Sequence, residues 1–114
     1  KHKCATIAEA ELLASAGAPD VLIAYPVVGP NRGRVVELVR RFPGTRFSVL
    51  IDHPAATKAL SETAAAAGAE VGVILDLDVG QHRTGIAVGP AAAELYTLAA
   101  KLPVLRLEGF QVYD

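Results

Sequence analysis

The sequence is poor in cysteine, aromatic side chains and net charge, and each shortage narrows what the chain can be. A single cysteine, Cys4, excludes an internal disulfide and fits a reducing compartment. A formal net charge of -1 gives no electrostatic reason to expect nucleic acid or an anionic membrane as partner. No apolar run approaches the ~20 residues that a membrane helix needs, and no signal-peptide pattern opens the chain. Aromatic residues make up only 5%, while alanine is abundant, which favours helices packed closely on a sheet. What is present is ordinary for a soluble chain: 114 residues, 52% hydrophobic and 20% charged. One small cytoplasmic α/β domain is the expectation.

Four helix-like segments alternate with short apolar runs. Thr6-Ile7-Ala8-Glu9 is a capping-box pattern, and the helix it opens passes Leu12 and Leu13 to stop at Gly17. Val21–Tyr25 reads as a strand closed by Pro26. Val35, Leu38, Val39 and Phe42 repeat at i, i+3, i+4, i+7, which predicts a helix ending at Pro43-Gly44. Phe47–Ile51 is a second strand. Pro54 suits the first turn of an alanine-rich helix that stops at Gly68. A third strand, Val71–Leu77, leads into the loop Asp78–Gly85. Gly89-Pro90 opens a last helix striped by Leu95, Leu98, Ala99 and Leu102, and Val104–Val112 is the final strand.

This beat is the βα unit, and near-continuous apolar strands imply a parallel sheet buried on both faces. Two closures fit: an open doubly wound sheet, or an arc of a (β/α)₈ barrel. Ligands gather at the C-terminal strand ends in either case. That rule selects Tyr25, Asp52 with His53, Asp76 through Arg83, and Tyr113 with Asp114. Polar groups cluster there, whereas the strand interiors read as almost purely apolar. The densest stretch is Asp76–Gly85. Alternation puts Asp76 and Asp78 on one side of their strand. Gln81, His82 and Arg83 add neutral, titratable and permanently cationic groups, and a fixed guanidinium is a directional partner for a phenolate or carboxylate. The same stretch also reads as a polar loop in which Arg83 pairs with Asp76 or Asp78 to hold the rim. His53 reads better as a helix N-terminal residue than as a ligand, and Cys4 as a small buried side chain. No His, Cys or carboxylate spacing marks a zinc site.

Several stretches, in order, resemble the D-threonine aldolase-like enzymes that use pyridoxal phosphate (PLP): Cys4-Ala5-Thr6-Ile7-Ala8-Glu9-Ala10-Glu11, then Leu22–Pro26 with Val28-Gly29-Pro30, then Asp76–Ile86, then Gly109–Asp114. The Asp76–Ile86 stretch is similar to a strand-end signature shared with alanine racemases and D-serine dehydratases. The resemblance implies an α/β fold of parallel (β/α) units, part of a TIM-type barrel with alanine racemase-like N-terminal character. Residues 1–114 would form a partial PLP-binding barrel, with the C-terminal β-domain absent. It implies that Arg83 contacts the cofactor's phenolic oxygen and that Tyr113 lies beside the ring, with Gln81 and an aldolase-like Asp76 also bordering the cofactor. Family members carry Lys-Thr-His-Lys, whose first lysine forms the Schiff base. Either His2-Lys3 matches the end of that motif, or Lys1 is the catalytic lysine itself. A divalent metal is expected in the C-terminal domain, with no metal ligand in these residues.

The implied parent is a PLP-dependent lyase that cleaves Cα–Cβ of D-β-hydroxy amino acids. The resemblance implies a small-molecule substrate, with neither nucleic acid nor membrane as partner, and a homodimer as the full-length protein. D-serine dehydratase-like elimination, amino-acid racemisation and non-catalytic PLP binding are the alternatives. The 114 residues alone are expected to be inactive, because half a barrel exposes edge strands and an apolar helix-free face.

Overall fold

The structure, a computed structural model, describes residues 2–80 and 85–113. Six strands and four helices follow one another as β1 (His2–Cys4), α1 (Ile7–Ser15), β2 (Asp20–Pro26), α2 (Asn31–Arg41), β3 (Arg46–Ile51), α3 (Pro54–Ala67), β4 (Val71–Asp78), β5 (Ile86–Ala87), α4 (Pro90–Lys101) and β6 (Leu105–Tyr113). Local chemistry sets the helix ends. The Thr6 hydroxyl accepts from the Glu9 amide at 3.1 Å, and the Glu9 carboxylate accepts from the Ala5 amide at 3.2 Å. At the far end the Ala18 amide reaches back to Leu13 and the Gly17 amide to Ala14, the paired closure of a glycine-terminated helix. Gly68 ends α3 in the same manner, in the left-handed conformation.

Every ladder is parallel, and the strands lie side by side in chain order, β1-β2-β3-β4, with β6 on the far edge of β4. A doubly wound sheet must reverse its order somewhere to bring helices to both faces. This one never reverses, and right-handed crossovers then put every helix on one side. The core agrees. Val21, Ile23, Val49, Val71, Val73 and Leu75 share one cluster with Ala10, Val35, Leu60 and Leu95 from the four helices. The arrangement is an arc of a barrel.

Alternate strand residues face the other way, toward the barrel axis. Leu22, Ser48, Gly72 and Arg106 are register partners along one row, and Leu50 and Ile74 along the next. The expected exposed apolar face is not what forms here. Leu22 and Leu50 are only 4% and 2% exposed, and Ser48 is fully buried. Sheet curvature brings inward side chains together, and the long side chains of Arg106 and Glu108 lie across Ser48 and Gly72. The two elements absent from the sequence reading are β1, which begins one residue into the presumed lysine motif, and the two-residue β5.

Candidate functional site

The C-terminal ends of β3, β4 and β6 meet at one rim. Asp76 is 3% exposed and sits in register with Gln111, and Asp78 with Tyr113. Because Asp76 and Asp78 alternate with Leu75 and Leu77, they belong to the axial face, as the sequence pattern implied. A buried carboxylate is costly unless its oxygens are hydrogen-bonded or paired. Asp76 is therefore held by its surroundings as part of the wall.

Two further carboxylates organise the loop after β4. Asp78 Oδ1 accepts from the Gly80 amide at 3.0 Å, a local turn that starts the loop. Asp52, just past β3, accepts the Gly85 amide on Oδ2 at 3.0 Å and so ends it. From there β5 pairs with Leu77 and Asp78. β6 already occupies one edge of β4 at those residues, so β5 takes the other edge and carries on the line of β3. Gly85 is required at this join. Its φ is +102°, and a Cβ there would stand 2.9 Å from the Asp78 backbone nitrogen.

The remaining strand-end candidates divide by role. Tyr25, 40% exposed, stands near the C-terminal end of β2, within the irregularity of the β2–β3 ladder between Ile23 and Pro26. His53 caps α3: its Nδ1 accepts the Ala55 amide at 3.1 Å, which makes it a structural residue. Cys4 is buried at the end of β1. Burial and the nearby Glu9 carboxylate push its thiol pKa up, against a backbone hydrogen bond at Thr6 that lowers it. That is the opposite of an activated thiolate. Gln81 and Arg83 fall outside the described residues, as do Lys1 and Asp114. His2, the residue after Lys1, pairs with Val21, toward the end of β2 opposite Tyr25. Among the described residues, no group of three or more His, Cys, Asp or Glu is placed to hold a metal ion.

One polar cluster escaped the sequence reading. Glu108 Oε1 accepts from the Ser48 hydroxyl at 2.6 Å, and its Oε2 accepts from Arg106 Nε at 2.8 Å. Arg46 Nε stands 3.6 Å from Oε2, and Arg106 also donates to Glu70 at 3.0 Å. Burial works against the charge of Arg106, but its hydrogen bonds to Glu108 and Glu70 outweigh this and raise its pKa. The signal was available: Arg106 and Glu108 alternate with leucines in a strand, and Ser48 interrupts an apolar run. Near this cluster a cavity of about 470 Å³ opens at the N-terminal strand ends, lined by Arg40, Arg46, Glu70 and Arg106 among others. It lies at the end of the sheet away from Asp76 and Asp52. In barrels of this kind that end serves stability rather than chemistry.

Comparison with known proteins places this geometry among relatives. A family profile described as "Alanine racemase, N-terminal domain" matches residues 3–114. The chain is 31% identical to a 3-hydroxy-D-aspartate aldolase of Paracoccus denitrificans over 113 residues, covering 97% of this chain and 28% of that protein. It is 30% identical to a D-threonine aldolase of an Arthrobacter species over 110 residues, covering 96% of this chain and 28% of the relative. The crystal structure of D-threonine aldolase from Filomicrobium marinum superposes with a TM-score of 0.90 at 34% identity, over 98% of this chain and 30% of that one. The chain thus spans less than a third of the length of these relatives.

Proposed function

The chain belongs to the alanine racemase N-terminal domain family, and from that membership we propose that it forms one wall of the active site of a PLP-dependent aldolase acting on D-configured β-hydroxy amino acids. The observation that carries this is the 0.90 TM-score at 34% identity to a D-threonine aldolase, across nearly the whole chain. The two curated relatives support the substrate class. D-threonine and 3-hydroxy-D-aspartate share D configuration and a hydroxyl on the carbon next to Cα.

The rim supports this reading: Asp76 and Gln111 stand in register at the C-terminal end of the wall, beyond the buried Leu50 and the half-buried Ile74. When bound, PLP supplies an electron sink for the bond broken at Cα. In this proposal Arg83 supports its phenolic oxygen, while Asp76, Gln81, Gln111 and Tyr113 line the ring's surroundings. Asp52 and Asp78 fix the two ends of the loop that carries Gln81 and Arg83. The rest of the barrel, a C-terminal β-domain and any divalent metal belong to the complete protein in this proposal, which would act as a dimer.

Assay of the complete protein tests it. D-Threonine should yield glycine and acetaldehyde in equal amounts, with L-threonine unreactive. Formation of a 2-oxo acid and ammonia would mark a dehydratase, and inversion at Cα a racemase; either overturns the aldolase assignment. Borohydride reduction followed by peptide mapping identifies the lysine that holds the cofactor, Lys1 or another; no labelled lysine would reject PLP use. Arg83→Ala should weaken cofactor binding or slow turnover, whereas unchanged kinetics would make Arg83 a rim residue of purely structural use.

A further inference from the structure

The β4–β6 ladder changes register in mid-strand. Leu105, Arg106 and Leu107 pair with Val71, Gly72 and Val73, but Ile74 then pairs with Gly109 rather than with Glu108. Glu108 is the additional residue of a β-bulge. One residue of slip turns every later side chain to the other face of the sheet. With the bulge, positions 111 and 113 fall opposite Asp76 and Asp78, and Phe110 falls opposite Leu75. Without it, Phe110 and Val112 would take the axial positions, and positions 111 and 113 would turn toward the helices.

A glycine and two hydrogen bonds hold the bulge in place. Gly109 has a φ of +140°, a conformation that other residues rarely adopt. Glu108 is tied across the sheet to Ser48 at 2.6 Å and back to Arg106 at 2.8 Å. Those side chains cross directly over Gly72, where a Cβ would meet Glu108 Oε2 at 2.7 Å, and Arg106 Nη2 and Ser48 Oγ at 2.8 Å. Gly72 is thus the slot through which β6 is fastened to β3. On the outer face Phe110 stacks on Tyr96 of α4 with ring centres 5.3 Å apart, consistent with the same register.

We propose that Glu108, seated over Gly72 and bound to Ser48, is a positioning residue that sets the register of β6 and so brings positions 111 and 113 opposite Asp76 and Asp78 at the active-site rim. This rests on the proposed function, in which those two residues border the cofactor. It touches neither substrate nor cofactor itself; it acts through the strand.

The test uses the complete protein with Glu108→Ala, Glu108→Gln, Ser48→Ala and Gly72→Ala. The direct readout is the β4–β6 register in crystals of the cofactor-free variants. Glu108→Ala and Gly72→Ala are expected to lose the bulge and the Phe110–Tyr96 stack, while Glu108→Gln keeps both. In the loaded enzyme, Glu108→Ala should lower kcat by roughly tenfold or more with a smaller change in KM, the signature of misplaced rather than missing groups. Adding Tyr113→Phe to Glu108→Ala should cost less than the product of the single effects, because both act through one residue. Native register in both Glu108→Ala and Ser48→Ala would overturn the proposal whatever their activity. Tyr113→Phe and Gln111→Ala with wild-type turnover and cofactor absorbance would instead overturn the placement of the cofactor, leaving the register result to stand on its own.

Discussion

At the scale of single residues, the site depends on backbone positions that tolerate no side chain and on carboxylates that organise loops. Gly85→Ala combines a φ of +102° with a Cβ 2.9 Å from the Asp78 nitrogen. Alanine there should cost on the order of 1–3 kcal/mol, and chemical denaturation of the variant measures it. The Asp52 hydrogen bond to Gly85 should be lost with it. Cys4 gives the pH prediction. Its folded pKa lies above the ordinary 9.0, so its contribution to stability is complete below pH 9.0. As pH rises further, the unfolded chain ionises first while the folded chain keeps its proton, and the contribution is lost. Stability of the wild type should therefore fall more steeply above pH 9.0 than that of Cys4→Ala, as denaturation across that range would show. Equal slopes would show that neither burial nor the Glu9 carboxylate shifts the thiol. Residues such as Thr6, Glu9, Gly17 and Gly68 were legible in the sequence because their chemistry is local. Ser48 and Glu108 were not, since their hydrogen bond spans sixty positions and only the sheet brings them together.

At the scale of elements, each helix buries only two to four side chains against the sheet, many of them alanines. Leu95 of α4 is fully buried in the common core. Leu95→Ala removes a branched side chain without replacing its volume, and should destabilise the protein by about 2–5 kcal/mol. Urea unfolding followed by far-UV circular dichroism checks this; a loss under about 1 kcal/mol would show that α4 can collapse into the gap. The four helices and the longer strands followed from periodicity, with ends shifted by a residue or two. Two elements did not. β5 has only two residues, too few for any alternation to register, and its place depends on Asp52 accepting Gly85 from across the sheet. β1 carries charge in His2 and Lys3 rather than an apolar pattern, so nothing in the sequence marks it as a strand. Its place is set by parallel pairing with β2, His2 to Val21 and Cys4 to Ile23.

At the scale of the whole molecule, the uninterrupted strand order separates a barrel arc from an open sheet, a choice that periodicity left undecided. β6 runs for nine residues and carries Phe110 and Val112, which are 55% and 60% exposed. Among the described residues β6 pairs only with β4, so its outer edge offers a long, partly apolar template for another strand. The 114 residues produced alone should therefore associate through β6 and bind PLP weakly. Sedimentation at several concentrations and cofactor titration measure both, and a stable monomer with tightly bound PLP would contradict the expectation.

The loop between β4 and β5 is tied at its start by Asp78 and at its end by Asp52. Neither tie uses a side chain from positions 81 to 84. Substitutions there can therefore sample new chemistry while the fold keeps its anchors outside the varied segment. In evolutionary terms the two anchors and the residues between them can vary independently, because each anchoring hydrogen bond is made by groups outside positions 81 to 84.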